Sequence, residues 1–461
     1  MRKRDVLLWV TILSFVAVGL RNFEEGLSSD APFYSTVARN IVKSGDWLRM
    51  STSVPGFEPY YVEHPHLGYW VLAAVFKVLP IADWSARIPG HLFYILFLWI
   101  YFLWIQKKFS EKTAFWSVIL LWSFYRFSNF FSNVYLDPGC LFLGFSSILL
   151  FEISIEEAKR SFAFLGGMAL ALSAMYKGLT VVGFLPVFLV PLVFIRRSAI
   201  EKLSCSLIFV VGFILPLLAY LGIVLNSSVP DFFDIYWEHQ MTNRFAKAWS
   251  FLGLLDPPFW KELLFDSYGF LLILPAAFGL AIRKKQYLIP LAFFTSFLVM
   301  YAVTYRKGTQ YWLMLLPWIA LFGADLILSK IPWAVSSAKK ASVTLAIAIV
   351  FVAQWLPVRV HGLKAPEERD ALQKYSDSPV MVLITDQYEM NFLGASRIAW
   401  YTEREIEYIK SPRTFIPTKT GRRLFYYLDT LGTEELSVQG FCFKKKFSKS
   451  ELWGDCGSPK L

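Results

Sequence analysis

Long apolar runs alternate with short polar segments along most of this chain. The runs lie near 6–21, 88–105, 113–132, 139–154, 162–176, 179–195, 203–225, 267–282, 287–304, 311–328 and 341–357. A helix rises about 1.5 Å per residue and a bilayer core is about 30 Å thick, so runs of this size suit membrane crossing. The pattern predicts an all-α polytopic membrane protein with about eleven spans. The stretch Leu67–Pro80 is apolar but short, and it carries Lys77. It is expected to be a juxtamembrane helix in the outer interface, with Trp70 and Lys77 at headgroup level. A short tilted span is the alternative.

The polar segments differ in kind. Between Arg21 and Leu67, Phe33, Tyr34, Val37, Ile41 and Trp47 recur at roughly helical spacing, so this loop is expected to be ordered. After Pro357 the composition turns polar and mixed. Val380–Thr385 reads as a strand and Tyr388–Ala399 as a helix, which predicts a small α/β domain over 358–461 beside a transmembrane domain over 1–357. No internal repeat is visible, which argues against transporters built from duplicated halves.

Charge fixes the sidedness. Arg2-Lys3-Arg4, Lys107-Lys108, Lys159-Arg160, Arg196-Arg197, Arg283-Lys284-Lys285 and Lys339-Lys340 all fall on one side when the spans are counted as above. That side is expected to be cytoplasmic. Met1-Arg2-Lys3-Arg4 before Val6–Leu20 then reads as a cytoplasmic flank and an uncleaved first span. The other side receives Asp30, Glu63, His64, Asp137, Lys177, the 226–266 loop, Arg306-Lys307 and the C-terminal tail. The expected location is the inner (plasma) membrane, with the tail periplasmic.

Composition agrees. The chain has 461 residues, 56% hydrophobic and 18% aromatic, where soluble proteins average about 45–50% apolar. The net charge of +11 comes largely from short anchoring loops, so no nucleic-acid partner is implied. The cysteines, Cys140, Cys205, Cys442 and Cys456, do not make a disulfide framework, but the last two lie where a disulfide can form.

The outer-side polar residues carry the candidate chemistry. Ionisable groups at a membrane edge are costly, which makes them functional candidates. Asp30 opens Asp-Ala-Pro-Phe, a good helix start, so it reads as an N-cap, a role that leaves catalysis open. Glu63-His64-Pro65-His66 suits a divalent cation or a polar lead into a helix. Asp137 stands in a tight outer turn, His239 and Arg244 in the second long outer loop, and Lys177 and Lys307 at the same face. Acids, histidines and cations around one outer cavity suit a reaction on an anionic lipid-linked substrate, with cations on phosphate and a carboxylate deprotonating a hydroxyl.

These residues also stand in a known order. Asp30-Ala31-Pro32-Phe33-Tyr34 with Ala38-Arg39, Gly45-Asp46-Trp47, Glu63-His64-Pro65-His66-Leu67-Gly68-Tyr69-Trp70 and Ala86-Arg87-Ile88-Pro89 are followed by Asp137, Lys177-Gly178 and Glu238-His239 with Arg244-Phe245. Pro258-Phe259-Trp260 and Lys307-Gly308-Thr309-Gln310-Tyr311 with Leu316-Pro317 complete the series. The chain thereby resembles the GT-C superfamily of membrane glycosyltransferases, in particular the lipid A aminoarabinose transferase and protein O-mannosyltransferase group. It departs from that group where Ala31 replaces an acid and His64 a lysine, and Arg244 lies two residues farther from His239 than usual.

The resemblance implies an inverting glycosyltransferase that uses a polyprenyl-phosphate sugar donor on the extracytoplasmic face. Its acceptor would be lipid A, another glycan or a protein. Asp30 would be the general base, with Asp137 beside it in the catalytic set. Lys177, Arg244, Lys307 and His64 would hold the lipid phosphate. Glu63 and His239 would hold a divalent cation, zinc among the candidates. A non-catalytic lipid-linked sugar transporter or flippase shares the spans and basic loops, and a polysaccharide ligase or polymerase differs only in its acceptor.

Overall fold

A computed structural model of the chain describes residues 26–27, 30–52, 61, 63–225, 232–238, 257–267, 279, 284–302, 309–330, 370, 380–384, 396, 399–401, 406–409, 423–427, 441–446 and 451–455. The early helices are α1 (Ala31–Ser44), α2 (Leu67–Val78), α3 (Asp83–Ala86), α4 (Ile88–Lys108), α5 (Glu111–Ser123), α6 (Tyr125–Ser132), α7 (Asp137–Glu157) and α8 (Arg160–Lys177). A 3-10 helix over Gly178–Phe188 leads into α9 (Leu189–Phe194), and α10 (Ala199–Leu225), α11 (Phe232–Trp237), α12 (Pro257–Asp266), α13 (Leu288–Ala302) and α14 (Leu316–Lys330) follow. The strands are β1 (Val380–Ile384), β2 (Ile406–Ile409), β3 (Arg423–Tyr427), β4 (Phe441–Lys446) and β5 (Glu451–Asp455).

The chain divides into two compact units. The first holds Met1–Arg21, Val62–Gly68 and Ile88–Gly362; the second holds Asn22–Tyr61, Tyr69–Arg87 and Leu363–Leu461.

The first unit is helical. Among the described residues, Asp83–Lys108, Asp137–Glu157, Arg160–Phe194 and Ala199–Leu225 are long and apolar enough to cross a membrane. The protein is a multi-pass membrane protein. Of the expected runs, 6–21 and 341–357 lie outside the described residues, as does nearly all of 267–282. The run 113–132 is not one helix. It breaks at Phe124, whose backbone is extended (φ −66°, ψ 100°) between α5 and α6. At 13 residues, α5 is only about 20 Å long and does not cross a bilayer core alone.

The 35-residue segment Arg160–Phe194 is not one rod either. Gly178 has φ 70°, ψ −131°, and the chain turns there. Helix α8 runs antiparallel to α7: Ser173 Oγ donates to the Cys140 carbonyl at 2.9 Å, and Gly166 faces the Ser147 carbonyl. Beyond the turn, Phe184 packs on Gly144 and Phe188 on Phe151, so the chain now ascends α7 in the opposite sense to α8. Helices α8 and α10 approach through glycine. A Cβ on Gly167 would strike the Phe209 carbonyl, and one on Gly212 the Phe164 carbonyl. Small residues at such crossings let backbones pack closely in a membrane.

An aromatic core joins α4, α7, α13 and α14. Trp318 lies 5.7 Å from Phe145 and 4.8 Å from Phe293, between ring centroids, and Phe97 stacks on Tyr101 at 5.7 Å. By contrast, α10 leaves Leu207, Val211, Leu215 and Leu218 exposed, as a lipid-facing helix does.

Charges gather at the C-terminal end of α7. Lys107 and Lys108 reach Glu156 at 2.7 and 2.5 Å, and Lys108 also reaches Glu152 at 2.7 Å. Trp104 Nε1 donates to Glu152 at 2.9 Å, and Arg197 Nε to the Glu156 carbonyl at 3.1 Å. Residues from three of the expected cytoplasmic loops (Lys107-Lys108, Lys159-Arg160 and Arg196-Arg197) therefore lie at or beside this one helix end.

In the second unit, α1 is buried along most of its length. It ends at Gly45, whose φ of 72° closes the helix through an N–H bond to the Ile41 carbonyl. The strands form one sheet in the order β2-β1-β3-β5-β4. β1 pairs in parallel with β2 and β3, and β5 lies antiparallel to β3 and β4. Cys442, on β4, is disulfide-bonded. Cys140 and Cys205 are buried free thiols, and Cys456 lies outside the described residues. Most of the expected helix over 388–399 also lies outside them.

Candidate functional site

Antiparallel pairing of α7 and α8 brings the first residue of one beside the last residue of the other. These are Asp137 and Lys177, and they form an ion pair. Both are buried, at 2% and 7% exposure. Each also suits its helix end, a carboxylate at an N-terminus and an ammonium at a C-terminus. A buried lysine at a span end is costly unless paired, and Asp137 is the pair.

Two surrounding elements close on the Lys177-Gly178 turn. Pro65 lies 3.4 Å from where a Gly178 Cβ would stand, and the Tyr236 hydroxyl occupies the rest of that space. Gly68 and Gly139 both press on the Tyr176 ring, within 3.2 and 2.5 Å of a built Cβ. The Glu63–His66 loop thus packs over the turn that carries Lys177. His64 in that loop is buried and Glu63 half-buried. His66 holds the loop to α10 and α11. Its Nδ1 lies 2.8 Å from Tyr220 Oη, and its ring stacks on Phe232 at 5.1 Å.

The second unit carries Asp30. Its carbonyl accepts the Tyr34 N–H at 3.0 Å, and Pro32 stands in the first turn. Its carboxylate makes no capping hydrogen bond. The helix start is therefore made by backbone and proline, not by the Asp30 side chain.

Several motif residues in this unit hold the scaffold. Arg39 is buried on α1 and donates to the Trp400 and Ala399 carbonyls, each at 2.9 Å. Arg87 donates to the Gly26 carbonyl at 3.0 Å. Asp46 makes a turn by accepting the Leu48 and Arg49 N–H groups at 3.0 and 3.1 Å. Trp70 Nε1 donates to the Trp47 carbonyl at 2.6 Å. Asp83 accepts from Trp400 Nε1 at 2.7 Å and from the Tyr401 hydroxyl at 3.0 Å. Burial, with the Asp83 charge adding to it, pushes the Tyr401 phenol well above its ordinary value of 10.0, which keeps it a donor.

Of the residues expected in the site, the first unit brings Asp137 and Lys177 together with the loop that bears Glu63 and His64. Asp30 belongs to the second unit. His239, Arg244 and Lys307 lie outside the described residues. Among the described residues, no three His, Cys, Asp or Glu side chains cluster as a metal site would require. Tyr220, Tyr236, Asp83 and Tyr401 were not expected from sequence. Their partners lie far along the chain, up to 374 residues away, and no local motif marks them.

The crystal structure of ArnT from Cupriavidus metallidurans bound to undecaprenyl phosphate superposes with a TM-score of 0.72 at 14% identity, covering 99% of each chain. The chain has the fold of that ArnT. The apo form of that ArnT gives the same TM-score over 97% of each chain. The oligosaccharyltransferase of Archaeoglobus fulgidus, in complex with zinc and sulfate, shares this fold more loosely. Its TM-score is 0.51 at 10% identity, over 87% of this chain and 62% of its own. Residues 63–221 match the family described as dolichyl-phosphate-mannose-protein mannosyltransferase. That match takes in Glu63, His64, Asp137 and Lys177, and Asp30 precedes it. Compared with curated protein sequences, the chain matches none.

Proposed function

We propose that the protein is a membrane glycosyltransferase that moves a sugar from a polyprenyl-phosphate donor to an acceptor hydroxyl, with inversion, on the extracytoplasmic face of the inner membrane. The observation that carries this reading is the buried Asp137–Lys177 pair at a span end, under the Glu63–His66 loop, in a GT-C fold. A cation held at membrane depth by a carboxylate suits an anionic lipid headgroup.

The Asp30 carboxylate takes the proton of the acceptor hydroxyl as its oxygen attacks the anomeric carbon. The bond from that carbon to the phosphate oxygen breaks, and the lipid phosphate leaves with the electron pair. Lys177 holds that phosphate, with Arg244, Lys307 and His64 as further contacts, and Asp137 orients the Lys177 ammonium. Glu63 and His239 would hold a divalent cation, since a carboxylate and an imidazole are suitable ligands. When bound, that cation adds positive charge near the leaving phosphate.

The disulfide at Cys442 supports an extracytoplasmic second unit, since such bonds persist in oxidising compartments. The acceptor is lipid A, another glycan or a protein. Mass spectrometry of lipid A and glycoproteins from cells with and without the gene identifies it. Purified protein in lipid nanodiscs, given a labelled polyprenyl-phosphate sugar, should release free polyprenyl phosphate as the product forms. Donor that crosses the bilayer with its sugar intact would instead identify a transporter.

A further inference from the structure

We propose that residues 399–401 of the C-terminal segment position the Asp30 carboxylate, through a clasp made by Tyr401, Asp83, Arg39 and Arg87. This rests on Asp30 as the general base. Every residue of the clasp lies within the second unit.

The backbone of Gly26 and Leu27 is held by side chains. The Leu27 N–H donates to Tyr401 Oη at 2.7 Å, and the Gly26 carbonyl accepts from Arg87 Nη2 at 3.0 Å. Tyr401 is itself fixed, since its hydroxyl donates to Asp83 Oδ2 at 3.0 Å. Asp83 Oδ1 takes Trp400 Nε1 at 2.7 Å, so both carboxylate oxygens of Asp83 serve the clasp.

The helix after Asp30 is tied to the same three residues. Arg39 donates to the carbonyls of Ala399 and Trp400, and its guanidinium lies 5.6 Å over the Trp400 ring. Phe76 also stacks on Trp400, at 5.8 Å. Asp30 therefore stands between two anchored points, Leu27 and Arg39, and both end on 399–401. A base acts only within hydrogen-bond reach of its proton, and a displacement of about 1 Å costs on the order of 10²-fold in rate.

The test uses the full chain in lipid nanodiscs. Tyr401→Phe removes both hydroxyl hydrogen bonds and keeps the ring. The expected result is a fall of roughly 10- to 100-fold in kcat, with the donor KM within about twofold of wild type. Hydrogen exchange should show the Leu27 amide losing protection. In an Asp30→Asn background the same change should cost nothing further, because the clasp acts through Asp30. Unchanged kcat in Tyr401→Phe, or a full additional loss in the Asp30→Asn background, overturns the proposal. Trp400→Phe, which removes the indole N–H to Asp83 together with part of the ring under Arg39, serves if Tyr401→Phe does not fold. Wild-type protein inactive with every donor, while Leu27 protection still depends on Tyr401, would overturn the transferase reading and leave the clasp standing as a structural tie alone.

Discussion

Lys177 and Asp137 form a buried ion pair across the adjoining ends of two antiparallel helices. The first prediction follows from that burial. Removing one partner leaves an uncompensated charge, which typically costs about 3–5 kcal/mol. Lys177→Met and Asp137→Leu should each lower the thermal midpoint in detergent strongly. The double variant should recover most of the loss, since no buried charge remains. It should stay inactive in sugar transfer. A double variant that melts as low as the singles would mean the two residues are not mutually compensating.

Asp30→Asn should leave the start of α1 intact and slow transfer by about 10²- to 10⁴-fold, the usual contribution of a positioned base. The structural reason is that the Asp30 side chain makes no capping bond, so the amide loses nothing the helix uses. Thermal melts beside single-turnover transfer rates check this. A fully active Asp30→Asn protein removes Asp30 from the mechanism.

Gly178→Ala should be strongly destabilising for two separable reasons. The position has φ 70° and ψ −131°, a region nearly closed to L-residues that costs about 1–3 kcal/mol. Its Cβ would also strike the Tyr236 hydroxyl. Adding Tyr236→Phe removes the clashing atom and should restore part of the loss, but not the backbone share. Melting curves of the single and double variants separate the two.

Much of this was legible in the sequence, and the misses have physical causes. The short helix Leu67–Val78, the turn at Lys177-Gly178 and the strand Val380–Ile384 follow from length, glycine chemistry and β-branched content. Span parity alone puts Asp137 and Lys177 on one face. The break at Phe124 was not legible, because apolar residues continue through it and no proline or glycine marks it. Asp30 read as a cap because its neighbours fit one, yet Pro32 and the backbone suffice to start α1. The clasp was invisible because Leu27 and Tyr401 stand 374 residues apart.

Glu63 and His239 are expected to share one divalent cation. Metal analysis of purified protein should show about one equivalent in wild type and its loss in both Glu63→Ala and His239→Ala, on the stated pairing of carboxylate and imidazole. His64→Ala should keep the metal and weaken donor binding, since His64 is assigned to phosphate. Equal metal content in wild type and His239→Ala would remove the histidine from the metal role.

The two ends of α7 differ in chemistry, and this gives the last prediction. At one end Lys107 and Lys108 pair with Glu156, beside Arg197; at the other lies the Asp137–Lys177 pair. With 21 residues, α7 spans about 31 Å, close to a bilayer core. The two groups therefore face opposite sides. Basic residues in short loops stay cytoplasmic, so the Lys107 end is predicted to lie inside and the Lys177 end outside. Disulfide-bonded Cys442 agrees with an outer C-terminal unit. Reporter fusions after Arg197 and after Gly362 should accordingly report cytoplasm and periplasm. Periplasmic signal after Arg197 would invert the protein and place Lys177 on the cytoplasmic side, where the proposed donor chemistry could not occur.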